Sequence, residues 1–367
     1  MEDHERYMRM ALRLAARGAG LCSPNPMVGA VLVKDGAVVA TGWHRGPGLP
    51  HAEAEALAKA GPEAAGCDLY VNLEPCCHVQ KKTPPCVPAI VSAGVRRVVV
   101  GMVDPNPAVF GRGIEQLRSR GVDVVVGVLE EQARRLNRAF VTLMTRGRPH
   151  VTLKLATTLD GRIATRDGSS RYISCEPSRR RVHRMRALSD CVMVGIGTAL
   201  ADDPLLLPRA VRARRPPLRV VVDTHARLSL TSRLVQSAAC GPVVVAAGEA
   251  ADPARVARLG DAGVEVLRLA TEAGRVSMPS LLGVLAQRGC ASLLVEGGAG
   301  LSASLLSARL VDQLILFVAP CLLADPKAIP WCADLGLRTL ADCMAFTLET
   351  ISRSGQDIML SLVPRQV

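Results

Sequence analysis

The sequence predicts an α/β fold arranged as two consecutive layered domains, on three observations. Short Val- and Leu-rich runs alternate with helical patterns along the whole chain. Those runs are nearly unbroken in apolar residues, as in strands covered on both faces. The alternation stops once, at "TRGRPH" (residues 145–150), and then begins again. A chain of 367 residues is long enough for two domains, which the break sets at 1–147 and 148–367.

Taken in order, residues 4–18 form a helix, with Tyr7, Met8, Ala11, Leu12 and Ala15 at helical spacing and Gly18 as its stop. "MVGAVLV" and "AVVATGWH" are strands joined by a "KDG" hairpin turn. A helix follows from His51, then the strand "DLYVNL", a Pro-rich loop and a helix over about Val87–Ala93. The strand "RRVVVGMV", a helix near Gly113–Arg120, the strand "VDVVVGVL" and a helix from about Glu130 to Thr145 complete the first series. In the second, "HVTLKLA" is a strand and "EPSRRRVHRMRAL" a helix beginning after Ser174. "CVMVGIG", "LRVVVD", "GPVVVAAG", "VEVLRLA", "SLLVEGG" and "QLILFVAP" are apolar strands. "RARRPPLR" (212–219) reads as an exposed loop, and "MAFTLETISRSGQDIMLSLV" as two strands around a turn at Ser354–Gly355. No internal repeat is present.

Composition narrows the function. Hydrophobic residues make up 49 %, but there are only two Trp, three Tyr and four Phe, so Val, Leu, Ala and Met fill the cores. Few rings also argue against single-stranded nucleic acid, which binds on stacking platforms. The net charge of +12 suits an anionic partner, of which a phosphorylated small molecule is one kind. The start "MEDHERYMRM" is charged and no apolar run is long enough to span a bilayer, so a cytoplasmic protein without membrane attachment is expected. Twelve Cys in such a chain point to free thiols or a metal site. Cys191, Cys240 and Cys290 stand singly among small apolar residues and read as core positions.

Cys76, Cys77 and Cys86 are clustered in "LEPCCHVQKKTPPC". His51 opens a helix, Cys76 follows a strand and a Pro, and Cys86 opens the next helix after Pro-Pro. One imidazole and two thiolates suit Zn²⁺ and leave a fourth position for water, the mark of a catalytic ion. Helix starts also favour thiolate over thiol. Glu53, two residues past His51, is placed to accept a proton from that water and pass it to a leaving amine. The His-x-Glu…Pro-Cys pattern is that of the zinc nucleobase deaminases, with a longer spacing to the second Cys. Cys77 and His78 are spare donors. In "SLLVEGGAGLSASLL" a strand ends in Glu296, glycines turn the chain and a helix begins, offering backbone N–H groups to a pyrophosphate.

"PNPMVGAVLVKDG", "HAEAEAL", "LEPCCH…TPPC", "DPNPAVFGRG", "LKLATTLDGRIA", "ADDPLL" and "VEGGAGLSASLL" run in order across nearly the whole chain. Together they resemble the bifunctional riboflavin-biosynthesis deaminase/reductase family. The resemblance implies an N-terminal three-layer domain like cytidine deaminase and a C-terminal domain like dihydrofolate reductase. It implies zinc-dependent hydrolytic deamination of 2,5-diamino-6-ribosylamino-4(3H)-pyrimidinone 5′-phosphate, with Glu53 moving the protons, then NADPH-dependent reduction of the ribosyl to a ribityl chain. By match to the family's motifs, Asn25, His44, Lys82, Asp104 and Asn106 line the deaminase pocket. Ala156, Tyr172, Thr198, Asp202 and the run Gly298, Ala299, Gly300, Leu301, Ser302, Ala303 and Ser304 contact NADPH. Ser170, Arg186, Leu206, Arg209 and Glu296 contact the reductase substrate, the two arginines suiting its phosphate. A homo-oligomer is implied as well.

The chain departs from the family pattern in three places. The zinc loop is one residue longer and lacks its glycine. Tyr172 stands where a Trp is usual, and "LLLPR" replaces "LTVR". "APCLLADP" lacks an expected Gly. A deaminase with a non-catalytic second domain, serving a related pyrimidine- or pteridine-type pathway, is the alternative, and NADPH binding separates the two. An RNA-directed deaminase would instead show steeply salt-dependent affinity.

Overall fold

The computed structural model describes residues 2–78, 83–170 and 172–365. The chain divides into two compact units, Met1–Arg148 and Pro149–Val367.

In the first unit, α1 (Glu2–Ala15) leads into the hairpin β1 (Gly29–Lys34) and β2 (Ala37–Trp43), then α2 (Ala52–Ala60) and β3 (Asp68–Leu73). After these come α3 (Cys86–Ser92), β4 (Arg97–Met102), α4 (Arg112–Ser119), β5 (Asp123–Val126), α5 (Glu130–Leu136) and α6 (Arg138–Arg146). The sheet order is β2-β1-β3-β4-β5. Its β2-β1-β3 side is antiparallel and its β3-β4-β5 side parallel. The predicted hairpin turn has Asp35 and Gly36 both at positive φ, 50° and 79°, the conformation a two-residue turn needs to match strand twist. Tyr7, Met8, Ala11, Leu12 and Ala15 are all buried on α1 against this sheet.

The helix expected over Glu130–Thr145 is two helices, broken at Asn137. The Asn137 side chain is buried and grips the backbone of Met27. Its Oδ1 accepts from Met27 N at 2.8 Å, and its Nδ2 donates to Met27 O at 3.0 Å. Asn72 Nδ2 donates to the same carbonyl at 3.0 Å, so two amides fix the segment that carries Asn25.

The second unit begins with β6 (His150–Thr157), β7 (Arg162–Ala164), α7 (Glu176–Leu188), β8 (Cys191–Gly195) and α8 (Ile196–Asp202). It continues with β9 (Leu218–Val222), α9 (Arg233–Gln236), β10 (Val243–Gly248), α10 (Pro253–Asp261) and β11 (Glu265–Leu269). The two-residue strands β12 (Thr271–Glu272) and β13 (Arg275–Val276) precede α11 (Met278–Gln287), β14 (Ser292–Val295), α12 (Ala299–Ser307) and β15 (Gln313–Val318). Last come β16 (Ile329–Pro330) and the predicted C-terminal pair, β17 (Phe346–Ser354) and β18 (Asp357–Pro364).

The main sheet runs β11-β10-β9-β8-β14-β6-β15-β18-β17. It is parallel from β11 to β15 and closes with the antiparallel hairpin. Both faces are covered: Cys191 and Met193 of β8 enter one apolar core, Val192 and Val194 the other. That explains the unbroken apolar runs in the sequence. Crossover helices on a parallel sheet bring loops together at the C-terminal ends of the strands, where ligands bind in such sheets.

Two expectations fail here. Cys191 and Cys290 are buried, but Cys240 is exposed, because it lies in a short turn after α9 rather than in a strand. The loop at 212–219 is exposed through Pro216, yet Arg219 belongs to β9 and is wholly buried. Among the described residues no helix is long and apolar enough to cross a membrane.

Candidate functional site

In the first unit His51 directly precedes α2. A Cβ on Gly42 would lie 2.1 Å from Ala52 O, so glycine there lets α2 approach β2 closely. Glu55 fastens the same helix: its carboxylate accepts from Trp43 N at 3.0 Å and pairs with Arg45 and Lys59. Cys76 lies just past β3, and Cys86 is the first residue of α3. Cys86 N and Val87 N donate to Cys76 O at 3.0 and 3.2 Å, which closes the base of the long loop despite its extra residue.

These elements bring His51, Cys76 and Cys86 together. Their donor atoms lie within 4.8 Å of one another, the one such group among the described residues. His51 Nδ1 is 3.4 Å from Cys76 Sγ and 3.3 Å from Cys86 Sγ. Tetrahedral zinc separates nitrogen and sulfur ligands by about 3.6 Å, so the donor set and its size fit the ion. The other ring nitrogen, His51 Nε2, lies 3.0 Å from Thr83 Oγ1, which orients the imidazole. Thr83 was not singled out in the sequence. The spare donors Cys77 and His78 stay outside the cluster.

Glu53 is buried, and its Oε2 has no hydrogen-bond partner among the described residues. Burial, then the neighbouring Cys76 charge, push its carboxyl above the ordinary range, with His51 opposing. Asn25 Nδ2 lies 3.1 Å from His44 Nε2, and the His44 ring stands edge-on to His51 at 5.4 Å between centroids. His44 therefore stands beside the metal cluster, and Asn25 is joined to it through His44. His44 Nδ1 faces Pro50 O at 3.1 Å.

Asp104 and Asn106 each commit an oxygen to their own turn. Asp104 Oδ1 accepts from Asn106 N at 2.8 Å, and Asn106 Oδ1 from Ala108 N at 3.0 Å. Lys82 lies outside the described residues. The sequence reading missed Glu74, whose buried carboxylate accepts from the N–H groups of Asp104, Gly111, Gly113 and Ile114 at 2.8–3.2 Å. It ties the Asp104 turn and the start of α4 to the end of β3. A Cβ on Gly113 would lie 2.1 Å from Pro75 O, so this approach too requires glycine. An acid between a strand and Pro-Cys was the available signal.

In the second unit a cavity of about 900 Å³ opens at the ends of β6, β8, β9 and β14, room for a dinucleotide and a small substrate. Gly195 and Gly298 lead into α8 and α12, neither helix start has a side-chain cap, and both border the cavity. Uncapped N–H groups of this kind fit a pyrophosphate.

Of the residues expected at the cofactor, Ala156, Tyr172, Thr198, Asp202, Gly298, Ala299, Gly300, Leu301 and Ser304 line the cavity. Ser302 and Ala303 do not: both are buried on the inner face of α12, one helical face away. Ser170, Arg186, Leu206, Arg209 and Glu296 line it too. Ser170 Oγ donates to Asp202 Oδ1 at 3.0 Å, and Arg179 stacks over the Tyr172 ring at 4.4 Å.

Arg186 differs from expectation. Its fork is spent on Glu296, Nε to Oε1 at 2.5 Å and Nη2 to Oε2 at 2.9 Å, and it donates to Leu207 O at 3.4 Å. Arg209 is exposed at the cavity and, among the described residues, makes no ion pair. Lys154, overlooked in the sequence, also lines the cavity. Burial lowers its ammonium pKa, and nearby Glu296 opposes that. Burial raises the Glu296 carboxyl, but Arg186, Lys154 and His183 outweigh it and hold it below the ordinary range.

A family model for the cytidine and deoxycytidylate deaminase zinc-binding region matches residues 1–102. A model for the RibD C-terminal domain matches residues 149–360. The riboflavin biosynthesis protein RibD of Aquifex aeolicus is 38 % identical over 359 residues, covering 98 % of both chains. That of Escherichia coli K12 is 39 % identical over 378 residues, covering 99 % of this chain and all of the relative. Among solved structures, Acinetobacter baumannii RibD aligns with a TM-score of 0.88 at 37 % identity, over 100 % of this chain and 99 % of that one. A Thermotoga maritima diaminohydroxyphosphoribosylaminopyrimidine deaminase/5-amino-6-(5-phosphoribosylamino)uracil reductase aligns with a TM-score of 0.85 at 35 % identity, over 99 % of each.

Proposed function

Because this chain belongs to the RibD family of bifunctional riboflavin-biosynthesis enzymes, we propose that its first unit deaminates the diaminopyrimidine ribosyl phosphate and its second reduces the deaminated product. The observation that carries the reading is the convergence of His51, Cys76 and Cys86 beside the buried, unpartnered Oε2 of Glu53.

His51, Cys76 and Cys86 would hold zinc, which would supply an activated water for attack on the amino-bearing carbon of the pyrimidine. Glu53 takes the water's proton at Oε2 and returns it to the departing amine. Asn25 and His44 present an amide and an imidazole to the edge of the pyrimidine. Glu74 ties the Asp104–Asn106 turn to the end of β3, two residues before Cys76.

In the second unit NADPH, when bound, would supply the hydride for the ribosyl carbon. The uncapped starts of α8 and α12 would hold its pyrophosphate, and Ala156, Tyr172, Thr198 and Asp202 would border it. Arg209 takes the substrate phosphate. Glu296, ionised by its pair with Arg186, and Lys154 put one acceptor and one donor in the cavity wall for the sugar's hydroxyl and nitrogen groups.

Purified protein incubated with the diaminopyrimidine phosphate should release ammonia alone, and gain two hydrogens in the product only when NADPH is added, both read by mass. No ammonia release from a zinc-loaded sample would overturn the first assignment, and no NADPH-dependent mass gain the second.

A cytoplasmic homo-oligomer belongs to the same reading. Leu348, Ile351 and Ile358 are exposed on the edge hairpin β17–β18, an apolar margin that pairing with a second copy would cover. Sedimentation at micromolar concentration should give a dimer or larger, and a monomer would remove this part.

A further inference from the structure

The side chain of Arg219 on β9 is fully buried, and no acidic group among the described residues pairs with it. Its guanidinium is used as a hub for backbone oxygens. Nη1 donates to Leu205 O at 3.1 Å and to Ser237 Oγ at 2.6 Å. Nη2 donates to Ser237 O at 2.8 Å and Gly241 O at 2.5 Å. Burying a cation without a counter-charge is costly, and a Leu or Met would fill the volume without that cost. What an apolar residue cannot do is satisfy the carbonyls of Leu205 and Gly241, which lie in irregular chain and accept no backbone N–H among the described residues, whereas Ser237 O also accepts from Cys240 N at 2.9 Å.

One of the segments so tied matters to the reductase cavity. Residues 203–210 have no regular structure and hold Asp203, Leu206 and Ala210 at positive φ, 39°, 55° and 55°, all without glycine. Such a backbone persists only where its surroundings over-determine it. The ties are Arg233 N to Asp203 Oδ1 at 2.8 Å, Arg219 to Leu205 O, Arg186 to Leu207 O, and Arg209 N to His183 Nδ1 at 3.2 Å. Leu206, immediately after the carbonyl that Arg219 holds, lines the cavity with Arg209.

We propose that Arg219 is a positioning residue for reductase substrate recognition: through the Leu205 carbonyl it sets the segment that presents Leu206 and Arg209 to the pyrimidine ribosyl phosphate. This rests on the assignment of that segment to the substrate, so Arg209→Ala is measured beside it. With deaminated substrate and saturating NADPH, Arg219→Lys keeps the charge but loses the fork. It should raise KM for the pyrimidine about tenfold to a hundredfold. KM for NADPH and ammonia release in the first unit should stay within about twofold of the parent, since neither uses the segment.

Arg219→Gln, neutral yet still a donor, replaces the Lys variant if that does not fold, with the same expectation. Ser237→Ala removes one acceptor of Nη1 but leaves its donation to Leu205 O, so it should lower the melting temperature without moving KM for the pyrimidine. An Arg219 variant with unchanged pyrimidine KM, or with pyrimidine and NADPH KM rising together, overturns the proposal. So does Ser237→Ala copying the KM effect. If Arg209→Ala leaves the pyrimidine KM untouched, the substrate assignment of the segment fails instead.

Discussion

Glu53→Gln should lower ammonia release by about 10²–10⁴-fold, the range a positioned acid–base group contributes. Zinc content should stay at that of the parent. The amide has nearly the shape of the carboxylate, so the packing of α2 and the three-donor cluster survive, but it cannot take up and return a proton. Glu53 is well placed for that loss to be specific: it is buried, and its Oε2 has no competing partner among the described residues. His51→Ala separates metal holding from proton transfer, because it removes a ligand and should lose the ion with the activity. Reduction of deaminated substrate should be untouched in both variants, since the cavity proposed for NADPH is lined, among the described residues, by residues of the second unit. Elemental analysis and an ammonia assay on the same samples decide it. A Glu53→Gln enzyme that keeps its turnover would show that another group carries the proton.

The zinc donors were legible because each stands where local chemistry already fixes the chain: His51 before a helix, Cys76 after a strand and Pro, Cys86 after Pro-Pro. Polar residues that act over long range were not. Glu74 and Lys154 sit in or beside strands whose apolar neighbours dominate any periodic reading, and their roles exist only once distant segments fold against them. Arg219 was masked by the basic run before it, which is exposed through Arg215, whereas Arg219 opens the buried stretch of β9. The break at Asn137 was hidden for a similar reason. Ala133 and Phe140 continue an apolar helical pattern across it, and the partner that interrupts the helix is the backbone of Met27, 110 residues away. Arg186 lines the cavity, but its pairing with Glu296 was not legible. Only the fold shows that α7 and the end of β14 face each other closely enough to use both prongs of the guanidinium.

That pair carries the second large effect. Arg186→Met should abolish ribosyl reduction, leaving the deaminated pyrimidine as end product, while ammonia release continues. The side chains of Arg186 and Glu296 are only 13 % and 12 % exposed, so the substitution strands a buried carboxylate. Breaking such a pair from one side costs about 3–5 kcal/mol. Lys154 and His183 stay near Glu296 and offset part of it.

The sign of the pH dependence follows from Glu296. Its carboxyl is depressed in the folded protein, so the pair's contribution is present above the ordinary carboxylate value of 4.5 and is lost as pH falls through the lower folded one. Without Arg186 the burial effect is opposed more weakly and the carboxyl climbs. Glu296 then takes up a proton on mild acidification, and the loss of Arg186 costs less. The gap in melting temperature between parent and variant should therefore be widest near about pH 7.5 and narrower near about pH 5. Adding Glu296→Gln to Arg186→Met should recover most of the stability and none of the reductase activity, because the stranded charge is gone but so is the acceptor in the cavity. A melting gap that stays constant with pH, or a double variant that remains as unstable as the single one, would mean the pair is not what holds this wall of the cavity.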